Sequence, residues 1–100
     1  MTNELEVEGV PSVPAEFALG TPYPNPFNDR FQLEFSLPES GLTACALRDL
    51  NGGVVFQEKR LLSAGTHRMA VAPGNLPSGI YLFELRSSSG RELVKVAHLK

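Results

Sequence analysis

The chain has 100 residues, of which 42% are hydrophobic and 20% are charged, and its formal net charge at pH 7 is −2. This length is typical of a single domain, and the composition is typical of a globular protein with a hydrophobic core. The basic residues are scattered along the sequence, and no apolar run approaches the ~20 residues of a membrane helix. These features argue against a nucleic-acid-binding protein, an anionic-membrane patch and a transmembrane segment.

Residues 1–20 show weak periodicity and contain Pro11, Pro14 and four glutamates. This composition predicts a solvated linker, while the alternation of glutamate with Leu5 and Val7 leaves a short strand open. No signal-peptide pattern begins the chain, and we expect a domain taken from a longer protein.

Residues 23–28 read Tyr-Pro-Asn-Pro-Phe-Asn. Each proline fixes its own φ and favours an extended conformation for the residue before it. The two asparagines favour turns because their side chains bond nearby backbone groups. The segment, here called the proline corner, predicts a rigid corner at the N-terminal edge of a β domain, with the rings of Tyr23 and Phe27 in apolar surroundings.

Alternating apolar and polar residues predict six strands after this corner, and a seventh before or within it. The predicted strands cover residues 31–37, 42–49, 54–60, 66–71, 80–86 and 91–99. Residues rich in Gly, Pro, Ser and Asn separate them, and Asn51-Gly52-Gly53 predicts a tight hairpin. No window has a helical period, so we predict an all-β fold, an antiparallel sandwich of about seven strands.

The phase of each strand predicts which side chains are buried. In residues 42–49 the odd positions Thr43, Cys45 and Leu47 should face the core, because Arg48 lies on the even face. Residues 80–86 begin apolar on both faces, which predicts a central strand. Most of the core should come from Phe31, Phe35, Leu47, Phe56, Tyr81 and Phe83.

Reactive side chains have structural explanations at the level of sequence. His67 and His98 are not at a metal-ligand spacing, and His67 is predicted to be a core histidine with a satisfied hydrogen bond. Cys45 is the only cysteine, which excludes an internal disulfide and predicts an inert buried thiol.

Acidic residues near turns are predicted to cap backbone groups, namely Asp29, Glu39 and Asp49. A calcium site built from Asp49 and Asn51 remains an alternative, although no EF-hand pattern is present. Phosphate-binding and serine-hydrolase motifs are also missing. We therefore predict a non-enzymatic domain without cofactor, metal, nucleic acid or small-molecule substrate.

Five segments resemble the type A C-terminal sorting domain of the type IX secretion system of Gram-negative bacteria. They are the proline corner, the Asp-Leu-Asn-Gly turn at 49–52, the Gly-Thr-His segment at 65–67, the Leu-Pro-Ser-Gly-Ile-Tyr segment at 76–81, and the lysine-bearing last strand that ends at Lys100. The resemblance runs from about Leu19 to the end of the chain. Two residues depart from the family pattern: Arg48 replaces an aromatic residue, and Gly53 replaces a basic one.

The resemblance implies an immunoglobulin-like sandwich over residues 21–100 that follows a secreted cargo protein, with residues 1–20 as an accessible linker. It further implies passage from the periplasm through the type IX translocon of the outer membrane, and removal by a sortase-like protease at the cell surface. Deletion of residues 95–100 is then expected to block export more than folding. The motif positions carried over to this chain are Tyr23, Pro24, Asn25, Pro26, Asp49, Gly52, Gly79, Tyr81, Lys95 and Lys100.

The alternative is an immunoglobulin-like accessory or surface-attachment module of a secreted hydrolase, acting by protein or surface binding. A sugar-binding module of this kind presents a row of exposed aromatic rings on one sheet face. The chain has no tryptophan and two tyrosines, and most of its aromatic residues fall on buried phases. This pattern disfavours sugar binding but leaves pairing through a sheet edge open.

Overall fold

The computed structural model describes residues 16–100, which contain seven β-strands. The strands are β1 (Ala18–Leu19), β2 (Phe31–Leu37), β3 (Gly41–Asp49), β4 (Val54–Leu62), β5 (Gly65–Val71), β6 (Gly79–Ser87) and β7 (Gly90–His98). Within this range there is no helix, and so none that is long and apolar enough to cross a membrane. The alternating pattern therefore located every strand from 31 onwards to within about two residues.

The strands form two antiparallel sheets that pack as a sandwich. One sheet has the order β1-β2-β5 and the other has the order β4-β3-β6-β7. Strands β1, β2 and β5 pair as in the immunoglobulin fold, and so do β3, β6 and β7. Strand β4 differs, because it pairs with β3 in the four-stranded sheet instead of joining the three-stranded one. Strand β6 lies between β3 and β7, which confirms its predicted central position.

The core lies between the sheets and contains the residues on the predicted buried phases. Phe31, Phe35, Leu47, Tyr81 and Phe83 are all buried, and Thr43 and Cys45 face inward as their phase predicts. The rings of Phe31 and Phe83 meet edge to face across the sandwich, with centroids 5.8 Å apart. Such contacts add to the free energy gained by burying the rings.

Two aromatic side chains differ from expectation. Phe56 was predicted to be a core residue, but it is only half-buried at the rim of the core. It pairs with Leu47 and faces inward, but β4 is an edge strand, so no further strand covers the other side of its ring. The ring of Tyr23 is 44% exposed, whereas Phe27 is the fully buried ring of the proline corner.

Residues 16–20 are the described part of the predicted linker, and Ala18–Leu19 belong to the sheet rather than to a solvated segment. Strand β1 pairs with β2, and the Gly20 N–H donates to the Glu34 carbonyl at 2.7 Å. This short strand is the seventh strand that was predicted before or within the corner. Residues 1–15, which make up most of the predicted linker, lie outside the described residues.

Candidate recognition site at the proline corner

The proline corner begins as an extension of the three-stranded sheet. Tyr23 and Gln32 exchange two backbone hydrogen bonds of 2.9 Å, and Pro22 beside them is fully buried. The peptide bonds before Pro24 and Pro26 are both cis. Beyond Tyr23 the chain leaves this sheet and reaches the last strand of the other one, so the corner joins the two sheets at one end of the sandwich.

Phe27 fixes the corner to the C-terminal end of β7. Its side chain is 1% exposed, and its ring centroid lies 4.9 Å from that of Phe31 and 4.7 Å from the His98 ring. The Phe27 N–H donates to the Ala97 carbonyl, and the Leu99 N–H donates to the Phe27 carbonyl, both at 2.8 Å. Phe27 thus adds a parallel bridge to the outer edge of the last strand.

The two asparagines of the corner complete the hydrogen bonding of this edge. Asn25 Oδ1 accepts the Ala97 N–H at 2.9 Å, and Asn25 Nδ2 lies 3.4 Å from the Lys95 carbonyl oxygen. Asn28 Nδ2 donates to the Leu99 carbonyl at 2.9 Å. Backbone groups that an edge strand would leave open are therefore paired with the corner.

His98 ties the same end of the chain to the loop before β6. Its Nε2 lies 2.8 Å from the Asn28 carbonyl oxygen, and its Nδ1 lies 3.2 Å from the Pro77 carbonyl oxygen. The Tyr81 hydroxyl donates to that same Pro77 carbonyl at 2.6 Å. The buried imidazole therefore contacts the corner and the loop at once, which is a structural role.

The turn at residues 49–53 is held by its aspartate. Asp49 Oδ1 accepts the N–H groups of Asn51 at 3.0 Å and Gly53 at 2.8 Å, as predicted for a turn cap. Gly52 has a φ of 90°, a conformation that glycine adopts without steric cost. Among residues 16–100, no group of three or more His, Cys, Asp or Glu side chains is arranged to hold a metal ion.

The motif residues lie at one end of the sandwich. Asp49 pairs with Tyr81, and Gly79 pairs with His98, so the turn, the start of β6 and the end of β7 meet beside the corner. The backbone N–H of Lys100 donates to Ser78 Oγ at 2.8 Å. Most motif side chains at this end are exposed, whereas Tyr81 is buried. The exposed ones, apart from the turn, are Tyr23, Pro24, Asn25, Pro26, Lys95 and Lys100.

An open hollow of about 370 Å3 lies beside the exposed part of the corner. Its lining combines an aromatic ring, a guanidinium group, a side-chain amide and apolar surface, from Tyr23, Pro24, Arg30, Phe31, Gln32 and Ala70. Sequence reasoning did not predict it, because the hollow forms only where the corner lies against β2 and β5.

Burial of the Phe27 ring confirms its predicted apolar surroundings. Sequence reasoning missed the contacts of Phe27 and Asn28 with the last strand, and the part that Ser78 and His98 play at this end of the molecule. A signal for His98 was present, since Val94, Val96 and His98 share one phase of the last strand. The hydrogen-bond partners of His98 could not be predicted from the sequence, because Asn28 and Pro77 lie 70 and 21 residues away from it in the chain.

His67 and Cys45, the other two candidates for reactivity, lie outside this site and in different sheets. His67 Nε2 is 2.8 Å from the Ser63 carbonyl oxygen, and its ring stacks on Phe35, which confirms the predicted hydrogen bond. The side chain is half-buried rather than in the core, because β5 is an edge strand. Cys45 is buried on β3, in the other sheet. Burial, assisted by the nearby Glu58 carboxylate, raises the pKa of the Cys45 thiol to about 11. The thiol is therefore protonated, and a poor nucleophile, at neutral pH.

Comparison with known families identifies one match. The family model described as the secretion system C-terminal sorting domain matches residues 21–97. No curated protein matches the chain. This family is a sorting signal and is not catalytic, so any catalytic activity would belong to an attached cargo. The chain therefore belongs to the secretion system C-terminal sorting domains, and it serves as a C-terminal signal for export of an attached cargo by type IX secretion, to the cell surface or beyond.

Proposed function

We propose that this domain is read by the type IX translocon through the end of the sandwich that carries the proline corner. Support comes from one observation: hydrogen bonds from Asn25, Phe27 and Asn28 hold the backbone of residues 95–99 against the corner. Two stretches far apart in sequence thereby form one surface. A receptor that contacts this surface distinguishes the folded domain from an unfolded chain.

The motif residues divide into two roles in this proposal. Tyr23, Pro24, Pro26, Lys95 and Lys100 contact the translocon, because their side chains are exposed at this end. The others give the surface its shape: Asn25, Asp49 and Tyr81 through their hydrogen bonds, and Gly52 and Gly79 through their backbone.

The route and the processing steps belong to the same proposal. The part of residues 1–20 that precedes β1 connects the cargo to the sandwich, and the cargo crosses the outer membrane from the periplasm. A sortase-like surface protease then cuts in the connecting segment. The glutamates and prolines of residues 1–20 support this assignment, since proteases cut preferentially where the backbone is accessible and poorly packed.

A fusion experiment tests the proposal. Residues 1–100 are attached to the C-terminus of a reporter protein in a host that has the type IX machinery, and the surface-exposed fraction of the reporter is measured. We expect the fusion to reach the surface. A reporter that remains in the periplasm, on a domain that is shown to be folded, contradicts the proposal.

Substitution at the last strand is a sharper test than deletion. Deletion of residues 95–100 also removes Val96 and His98, which are buried, so we expect it to impair folding as well as export. The double variant Lys95→Ala/Lys100→Ala changes only exposed side chains at this end. We expect it to reduce surface export while the melting temperature stays within a few degrees of the parent, because exposed substitutions typically change stability by about 0.5 kcal/mol or less.

A matched control is the double variant Lys59→Ala/Arg86→Ala, whose side chains are also exposed. They lie on the same outer face of the four-stranded sheet as Lys95, but in a row further from the corner. We expect it to be exported as the parent is. Equal loss of export in both double variants would show that export depends on the net charge of the domain and not on the lysines at the corner end.

The accessory-module alternative is not supported. Tyr23 is the only aromatic residue among the exposed large hydrophobic side chains of residues 16–100, so no row of rings is available to stack on a sugar.

A further inference from the structure

The outer face of the four-stranded sheet carries most of the positive charge of the chain. Five of the nine lysine and arginine residues have register positions on this face, although they are scattered in sequence. We call this surface the basic face and define it by Arg48, Lys59, Arg86, Arg91 and Lys95. The whole chain has a formal net charge of −2, so the face is opposite in sign to the molecule.

The strand register brings these cations together in two rows. One row crosses all four strands, through Lys59, Ala44, Arg86 and Arg91. A second row lies further along the strands and contains Arg48, Leu82 and Lys95. Neighbouring strands are about 4.8 Å apart, so the cations of a row lie within reach of one extended ligand.

Glu84 is the only acidic residue of this face among the described residues. Its side chain is 7% exposed and lies between two guanidinium groups, with Arg48 Nη2 at 3.2 Å and Arg91 Nε at 2.5 Å. Within residues 16–100, Lys59, Arg86 and Lys95 make no ion pair. Five cations and one carboxylate leave the face with a formal charge of +4.

A small hollow lies near the middle of the basic face. Its volume is about 50 Å3, which suits a single carboxylate group, and the short side chains of Ala44 and Ala46 contribute to its floor. Three basic residues line it, namely Arg48, Lys59 and Arg86, together with Gln57 and two acidic residues, Glu58 and Glu84. Glu84 is already paired with Arg48 and Arg91, whereas Lys59 and Arg86 have no ion pair among residues 16–100. Because Glu58 and Glu84 are each paired with arginine, the cations left for a ligand in the hollow are Lys59 and Arg86.

Aliphatic side chains share the face with the cations. Leu42 and Leu61 are directly opposite each other in the row next to Lys59, and Leu61 is 81% exposed. On the other side of Glu84, Leu93 is also exposed. A polysaccharide or a nucleic acid has little apolar surface to cover such side chains, whereas a protein segment with acidic and aliphatic residues does.

We propose that the basic face binds an acidic segment of a partner protein, with one Asp or Glu carboxylate in the hollow between Lys59 and Arg86. Aliphatic side chains of the same segment pack on Leu42 and Leu61. The charge of the face and its mixture of cations with exposed leucines carry the proposal. The inference goes beyond the sorting function, and it does not depend on which residues the translocon contacts.

A binding assay with a defined probe tests this inference. The probe is a fluorescein-labelled peptide of alternating glutamate and leucine, and its control is the same peptide with glutamine in place of glutamate. Binding to the full chain is measured by fluorescence anisotropy. We expect the glutamate peptide to bind more tightly, and its affinity to fall as salt is added, because exposed charges are screened by ions.

Charge reversal on the face gives the decisive comparison. We expect the double variant Lys59→Glu/Arg86→Glu to weaken binding of the glutamate peptide by roughly 10-fold or more, since two attractive contacts become repulsive. The control Arg30→Glu/Arg68→Glu changes the net charge equally, but it lies at the corner and on the other sheet. We expect this control to bind within about twofold of the parent. Thermal melts of both variants test whether they are folded.

A polyanion separates the proposed partner from the other classes. Dextran sulfate is tested against the parent and against Leu61→Ser, a change at a highly exposed position. We expect Leu61→Ser to weaken binding of the peptide but not of dextran sulfate. Three results would each overturn the proposal. The first is no binding of the glutamate peptide, and the second is an equal loss of peptide affinity in both charge-reversed variants. The third is equal binding of the peptide and dextran sulfate, with no effect of Leu61→Ser on either.

Discussion

Thr43 is a polar residue in an apolar position. Its side chain is on the buried face of β3 and is 4% exposed, and its Oγ1 has no hydrogen-bond partner among the described residues. A buried hydroxyl without a partner loses its hydrogen bonds to water on folding and gains nothing in return.

We expect Thr43→Val to increase the free energy of unfolding by about 1 kcal/mol, because valine keeps the shape and removes the unpaired group. Chemical denaturation measures the change. The control is Thr66→Val, at an exposed position of β5, which should change stability by about 0.5 kcal/mol or less. A loss of stability in Thr43→Val would show that the hydroxyl is paired.

Cys45 makes stability depend on pH in the alkaline range. Its pKa rises from 9.0 to about 11 on folding, chiefly because the buried thiolate loses hydration. The folded state therefore holds its proton more tightly than the unfolded state, so this contribution is complete below pH 9 and is lost as the pH rises towards 11. We expect stability to fall less steeply over this range in Cys45→Ala than in the parent, as measured by denaturation at a series of pH values.

At the scale of elements, the corner and the end of β7 depend on each other. Asn25 binds the backbone of Ala97, and Phe27 binds the backbone of Ala97 and Leu99. The corner pairs the backbone groups at the end of β7, and this pairing holds a strand end that would otherwise fray. The paired residues are about 70 positions apart in the sequence.

We expect Asn25→Ala to increase the amide hydrogen exchange rate of Ala97 by roughly 10-fold, since loss of one hydrogen bond corresponds to about 1 kcal/mol or slightly more. Leu99 should exchange faster as well, because its acceptor lies in the same corner. Asn75→Ala, in an exposed loop, serves as the control. Unchanged protection of Ala97 in the Asn25 variant would contradict the role given to this side chain.

The two phenylalanines of the second sheet allow a test of core against rim. Phe83 lies on the central strand β6 and is completely buried, whereas Phe56 lies on the edge strand β4. We expect Phe83→Ala to cost about 3–5 kcal/mol and Phe56→Ala about half of that or less, because a rim side chain loses less burial and leaves no closed cavity. Equal costs in denaturation experiments would mean that Phe56 is a core residue after all.

At the scale of the whole molecule, the chain is expected to divide into a leader and a sandwich. The composition of residues 1–20 predicts an accessible segment, and the described fold begins with β1 against β2. We expect limited proteolysis to cut first before Tyr23 and to leave a resistant fragment, identified by mass spectrometry. First cuts within residues 31–71 would contradict this division.

Much of the fold was predictable because strand patterning is local. Alternation placed β2 and β3 and assigned the buried face of β2, while Arg48 indicated which face of β3 is buried. The apolar start of residues 80–86 identified a central strand. The position of Phe56 was not predictable in the same way. Whether an inward-facing ring is covered depends on which strand is at the edge of the sheet, and the sequence does not state the strand order.

The candidate site was predictable only in its parts. The proline corner, the Asp49 turn and the last strand were each recognised from their residues. Their meeting at one end of the sandwich was not, because it follows from the pairing of Asp49 with Tyr81 and of Gly79 with His98. The scatter of the cations in the sequence argues against a nucleic-acid or anionic-membrane patch, but the register of β3, β4, β6 and β7 gathers five of them on one face.

The sequence by itself determined the all-β class, the bounds of the strands, the stiff corner and the kinship with sorting domains, because each of these depends on residues close together in the chain. The tertiary structure alone decided that Asn25 and Phe27 hold the end of β7, that His98 links the corner to the loop before β6, and that the outer sheet face is basic. The physical reason is that these properties arise from contacts between distant residues. Strand order and register select those contacts, and both are set by the packing of the whole chain.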